Sequence, residues 1–427
     1  MKTLEKIYEL YKKAYSITTD SRNISKDCIF VALKGEHFDG NDFALQVAEE
    51  GIAAGVIADR KDLPKHDRLF VVDDSLKALQ ELAKHHREQL GLPIIGITGT
   101  NGKTTTKELI SAVLSKKYNI IYTQGNFNNQ LGVPLTVLRI KPDAEMAVVE
   151  MGASHPGDID ELTNIGEPNY GIITNIGRAH LRDFGGYEGV IKTKNEMYQY
   201  IGAHKGILFV NKDNELLMSL ANNINKVTYG TGNDADVKGK MLSANPYLSV
   251  EWNGYKIDTQ LVGDYNFENV LAAICVGKYF KVAENDIVEA LSSYCPTNNR
   301  SQVIETGKNR VVMDAYNANP TSMSYSIKNF RNICKDDNLL ILGDMLELGE
   351  ESQQEHQTIV KLLQELKFKN VCLVGEEFSK VSEHSKFSIF ENVEALIEYL
   401  ANHPISGFDI LVKGSNGIHL NKIIDSL

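Results

Sequence analysis

The segment GITGTNGKTTTKE (96–108) sets Gly99, Gly102, Lys103 and a run of threonines where the apolar PIIGIT (93–98) gives way to a helical pattern. A strand that feeds a glycine-rich turn opening into a helix aims backbone N–H groups and the positive helix end at phosphates. The pattern predicts a nucleotide loop of Gly99, Thr100, Asn101, Gly102, Lys103, Thr104 and Thr105. Lys103 would reach the β- and γ-phosphates, and the Thr104 hydroxyl would hold magnesium. The spacing is a variant, G-x-x-G-K-T, because Ile97 stands where the common motif has its first glycine.

Magnesium takes oxygen ligands and few protein carboxylates, leaving the rest of its octahedron to water and phosphate. Glu150 ends the apolar run of AVVEMG (147–152), and His180 follows the next one, GIIT (171–174). Each alone reads as structural. Together they sit after successive strands of one parallel sheet, whose carboxyl ends are where such sites form.

The elements that must position these residues follow from patterning. At roughly 150 residues per domain, 427 residues make about three domains. Residues 1–82 read as a small α/β unit with strand-like CIFVAL (28–33), GVIAD (55–59) and RLFVVD (68–73). Residues 83–300 alternate strands and helices, the signature of a mostly parallel sheet. Within them, 227–261 breaks the rhythm with short runs separated by Gly and Asn, which predicts an antiparallel appendage. Residues 301–427 hold four buried-strand candidates at 310–316, 338–344, 370–375 and 409–414, a third, Rossmann-like α/β unit. Trp252, in the antiparallel stretch, reads as packing, and His356, on a polar helix, as structural or exposed.

Composition sets limits. Lys plus Arg number 45 against 56 Asp plus Glu, a net charge of −11. That speaks against gripping nucleic acid by bulk charge. Five scattered cysteines with no C-x-x-C pair predict neither a disulfide framework nor a zinc site, and fit a cytoplasmic protein. No apolar run of 18 residues occurs, so no membrane insertion is expected.

TGTNGKTT (98–105), VVEMG (148–152) and NIGRAHLRDFG (175–185) together resemble the ATP-dependent Mur ligases of peptidoglycan synthesis. TDSR (19–22), GEHFDGNDF (35–43), GNFNNQLGVPLT (125–136), NRSQ (299–302), DAYNANP (314–320), LGDMLELG (342–349) and VKGS (412–415) narrow the resemblance to the branch that adds D-alanyl-D-alanine. The resemblance runs in order from about residue 18 to 415. It implies a three-domain α/β protein: a small substrate-binding unit, a central P-loop-type unit with ATP and magnesium, and a third unit that swings in. The implied partners are UDP-N-acetylmuramoyl-tripeptide and D-alanyl-D-alanine, joined through an acyl phosphate, and a monomer is expected.

The resemblance also implies residue roles. Lys103, Glu150, His180 and Lys194 become the catalytic set, with Thr104, Glu150, His180 and Lys194 at magnesium. Lys194, in KTKNEMY (192–198), matches a lysine that CO2 carbamylates, and Lys192 ranks second. Asn266 and Asn269 match adenine readers, Arg300 a phosphate contact and Asp314 a ribose contact. Many relatives carry two acidic residues there, whereas this chain has Met313 before Asp314. Ser21 and Arg22 would hold the UDP end, Asn126, Asn128 and Asn129 the sugar–peptide portion, and Asn317 and Asn319 flank Asp314. LGDMLELG and Lys413-Gly414-Ser415 are the candidates for the dipeptide. Rival readings are another amino-acid-adding member of the family, a plain P-loop ATPase or kinase, and a non-catalytic nucleotide-binding module. The third residue of the tripeptide, diaminopimelate or lysine, stays open.

Overall fold

A computed structural model of the chain describes residues 2–36, 38–177, 181–297, 300–381 and 385–427. Three sheets organise it. The first is four-stranded and wholly parallel, formed in chain order by Ile17–Thr18, Ile29–Val31, Gly55–Ala58 and Leu69–Val71. Residue 82 lies inside the helix Ser75–Gln89, which is continuous and packs both on the amino-terminal helix Lys2–Tyr11 and on the helices Gly132–Val137 and Asp158–Gly166 of the central unit.

The central sheet has nine strands. From one edge they run 255–258, 249–252, 237–243, 226–230, 207–211, 170–173, 94–98, 146–150 and 120–122. Ile94–Thr98 is buried along its whole length and pairs in parallel with both Met146–Glu150 and Tyr170–Ile173. A strand covered on both faces needs a continuous apolar run, which is what IIGIT supplies. The antiparallel stretch exists but is no separate appendage. Lys226–Gly230 and Val237–Ser243 still pair in parallel, and the sense reverses only between Val237–Ser243, Ser249–Trp252 and Tyr255–Asp258. Trp252 is buried there beside Val250 and Ile257.

The third sheet is ordered 302–305, 310–314, 409–413, 338–343, 371–374 and 388–390. All four strand candidates are present. Two edge strands, Gln302–Glu305 and Ser388–Phe390, escaped the sequence reading because they are short and half-exposed, with no apolar run to mark them. Helices cover both faces, and Val262 from the central unit enters this unit's core beside Phe330 and Leu411.

Candidate active site

Everything at the phosphate loop follows from how its backbone is held. Gly99 sits at φ +144° and Gly102 at +79°, conformations that favour glycine. A Cβ on Gly99 would lie 2.0 Å from the Thr174 hydroxyl, and one on Gly102 would lie 2.8 Å from Asn269 Oδ1. The loop therefore lies flush against two neighbours. Asn175 grips it: its carbonyl accepts from Thr100 N–H at 2.9 Å, and its Oδ1 accepts from Asn101 N–H at 3.0 Å. Thr174 and the Asn175 amide donate to the Asn101 carbonyl, while the Thr100 hydroxyl accepts from Gly177 N–H.

The helix Lys103–Leu114 opens at Gly102 with no side-chain cap. Its first N–H groups are thus left for a ligand. Lys103 Nζ donates back to the carbonyls of Gly99 and Thr100, at 2.8 and 3.0 Å. Desolvation lowers its ammonium pKa, with Glu150 pulling it up and Arg300 pushing it further down. Thr105 is half-buried in the same first turn.

Glu150 is 1% exposed, at the end of its strand. Its carboxylate accepts from the Thr104 hydroxyl at 2.9 Å and from the Asn128 amide at 2.8 Å, and its N–H donates to Thr123. A hydroxyl and a carboxylate meeting beside the free helix start form an oxygen donor set of the kind magnesium takes. His180 lies outside the described residues, and among those described no group of three His, Cys, Asp or Glu gathers as a metal site.

Lys194 is buried within the helix Tyr187–Ala203, whereas Lys192 faces solvent. Its amine is pushed down to about 7, first by desolvation and then by the charge of Lys103, against the pull of Asp158 and Glu196. The same helix steadies the neighbouring loop. Both carboxylate oxygens of Glu196 accept backbone N–H groups, from Gly157 and Asp160, at the start of helix Asp158–Gly166.

The third unit reaches into the site. Asn319 caps its helix Pro320–Ile333 by accepting from Ser322 N–H, and donates its amide to Asn101 Oδ1 at 2.8 Å. Arg300 lies over the Tyr316 ring. Asp314 accepts from Ser301 N–H, the Ser326 hydroxyl and Lys413 Nζ, so its carboxylate already has three donors. Lys413, a dipeptide candidate, is thus paired with Asp314 at 2.7 Å.

Other candidates have local partners. Asn269 accepts from Thr106 and donates to Asn266, which in turn donates to the Val262 carbonyl; both are buried under the loop. Asn129 accepts from the N–H groups of Leu131 and Gly132, and Asn317 from that of Ala318. Arg22 is 88% exposed and pairs with Asp20; Ser21 beside it is half-buried, and Asn126 is exposed. His356 is buried, accepting from Met345 N–H at Nε2 and donating from Nδ1 to the Ser352 carbonyl. It is structural rather than exposed. The sequence reading missed Thr174, Asn175, Glu196 and Tyr316. The polar pair Thr174–Asn175, directly after the apolar Gly171–Ile173, was the available signal for the first two.

Models of three domains of one family match the chain. These are the Mur ligase family catalytic domain over residues 13–87, the Mur ligase middle domain over 97–277, and the Mur ligase, glutamate ligase domain over 299–416. The chain is 35% identical to UDP-N-acetylmuramoyl-tripeptide--D-alanyl-D-alanine ligase of Bacillus subtilis (strain 168), covering 97% of this chain and 93% of that protein. It is 30% identical to the protein of the same name from Escherichia coli (strain K12), covering 96% and 93%. A crystal structure of MurF from Acinetobacter baumannii superposes with a TM-score of 0.87 at 31% identity, over 96% of this chain and 93% of that one. MurF ligase from Thermotoga maritima in complex with ADP gives 0.84 at 27% identity, over 96% of each.

Proposed function

The chain belongs to the Mur ligase family, and we infer on that premise that it joins D-alanyl-D-alanine to UDP-N-acetylmuramoyl-tripeptide in an ATP-dependent step of peptidoglycan synthesis. The observation that carries this reading is the meeting of Lys103, Thr104 and Glu150 at an uncapped helix start beside the buried Lys194. The Lys103 ammonium and the free N–H groups receive the nucleotide phosphates. The terminal carboxylate of the tripeptide attacks the γ-phosphorus, ADP leaves, and an acyl phosphate remains. The dipeptide amine then adds to the acyl carbon and loses a proton, and the tetrahedral species expels phosphate to leave the amide. Lys103 and Arg300 offset the negative charge that moves between these groups.

Thr104, Glu150, Lys194 and His180 are the residues that would hold magnesium, whose chemistry there is to neutralise phosphate oxygens that otherwise repel a carboxylate. In its deprotonated form the Lys194 amine can add to CO2, forming a C–N bond and releasing one proton, which leaves a carboxylate-like ligand in place of the amine. Asn266 and Asn269 would face adenine and Asp314 the ribose. Asn126, Asn128 and Asn129 would face the sugar–peptide portion and Ser21 with Arg22 the UDP end, with Asn317 and Asn319 at the closing edge. We divide the chain at residues 82 and 300 into UDP-substrate, ATP-binding and ligase domains. No helix among the described residues is long and apolar enough to cross a membrane. With all five cysteines free, a cytoplasmic protein is the reading that fits.

A plain ATPase or kinase would leave the buried Lys194 and the whole-length likeness without a role. Incubation with ATP, magnesium, D-alanyl-D-alanine and tripeptides carrying either diaminopimelate or lysine decides the matter, read as phosphate release and product mass. Pentapeptide product from one or both tripeptides is expected. ATP hydrolysis without it overturns the ligase reading.

A further inference from the structure

Tyr316 takes no part in the reaction course above, yet it packs against a group that does. The guanidinium carbon of Arg300 lies 3.8 Å from the centre of its ring. A planar cation is drawn to the negative face of an aromatic ring and stacks there. Arginine has a long, freely rotating side chain, so such a stack fixes its direction before any ligand arrives.

The backbone on either side of the stack is tied as well. Ser301, next to Arg300, has φ +50°, a left-handed conformation unusual for a residue with a Cβ. Its N–H donates to Asp314 Oδ1 at 3.2 Å, and its hydroxyl meets the hydroxyl of the half-buried Tyr265 at 2.7 Å. Asp314 stands two residues before Tyr316 and is itself held by Ser326 and Lys413. The two halves of the stack thus hang from one hydrogen bond between their own strands of chain.

Arg300 is also unfinished. Its Nε is buried with no hydrogen-bond partner among the described residues. A cation that keeps a buried donor without a protein partner is suited to an anionic ligand.

We propose that Tyr316 is a positioning residue for the reaction, its ring holding the Arg300 guanidinium in the orientation that meets the nucleotide phosphates while the Ser301–Asp314 bond fixes their spacing. This rests on the reading of Arg300 as a phosphate contact. Phenylalanine keeps the ring face and leucine fills space without one, so the two substitutions separate stacking from bulk.

The test compares Tyr316→Phe, Tyr316→Leu, Arg300→Ala and the Arg300→Ala/Tyr316→Leu double variant by steady-state kinetics, each checked by thermal melting. Tyr316→Phe should stay within about twofold of the parent, and Tyr316→Leu should lower kcat about tenfold with the KM for the UDP-tripeptide unchanged. Added to Arg300→Ala, the leucine should change kcat by less than about twofold, because the group it positions is gone. Losses that multiply in the double variant would overturn the proposal, since Tyr316 would then act by itself. So would full kcat in Tyr316→Leu. Full activity in Arg300→Ala is a different failure, one that removes the phosphate-contact reading. Should Tyr316→Leu melt early, Tyr316→Met supplies a second side chain without a ring, judged by the same outcomes.

Discussion

Burial holds the Lys194 amine down to about 7, so the folded protein releases a proton that the unfolded chain keeps until its ordinary 10.5. Between those pH values the unfolded state binds more protons, and stability rises with pH; below 7 the full cost of the buried cation remains. In CO2-depleted buffer, Lys194→Met should therefore melt above the parent at pH 6, with the gap closing toward pH 10. A gap that does not change with pH would contradict the assignment. For turnover the expectation is opposite: Lys194→Ala should abolish it, with partial rescue by short carboxylic acids that stand in for a carbamate. Glu150→Gln keeps the size of the side chain and removes the charge beside Thr104 and Asn128. A loss of kcat of about 100-fold or more is expected, measured as product formation at saturating ATP. A mere rise in KM would assign Glu150 to uniform binding instead.

At the scale of elements, the loop between Ile94–Thr98 and Lys103–Leu114 depends on backbone that side chains would spoil. Gly99→Ala meets both a φ of +144° and the Thr174 hydroxyl at 2.0 Å. It should destabilise the protein by about 1–3 kcal/mol in denaturant melts and remove nucleotide binding by calorimetry. Retained nucleotide affinity would mean that the loop can shift without losing its purpose. This loop was legible in the sequence because its requirements are local: a glycine at a turn, a lysine and threonine at a helix start. What grips it was not. Asn175 and Thr174 act across 74 and 73 residues of chain, a distance over which a pattern in one sequence carries no pairing information. The strands were legible where buried on both faces, and Ser388–Phe390 was not, because an edge strand half in water has no apolar signature. Asp314 and Asn269, whose roles rest on resemblance, carry internal hydrogen bonds that a motif match does not foretell.

For the whole molecule, the third unit touches the loop through Asn319 and Asn101. Asn319→Asp separates that contact from the helix cap, since an aspartate oxygen still accepts from Ser322 N–H but no longer donates to Asn101. The melting temperature should hardly move, while kcat/KM falls about fivefold, the worth of one hydrogen bond. An equal loss of stability would make the residue a cap and nothing more. The net charge of −11 is silent on any of this, because an anionic substrate is met by a few placed cations rather than by the average surface.

Asn269 lies under Gly102 and accepts from Thr106, although 163 residues separate it from that threonine. During synthesis the loop emerges early and its floor much later. Ribosome-bound chains that stop short of Asn269 lack the surface that shapes the turn, even though all nine strands of the central sheet precede it. Competence to hold a nucleotide is therefore acquired late in translation, after the helix Phe267–Tyr279 has docked on Lys103–Leu114.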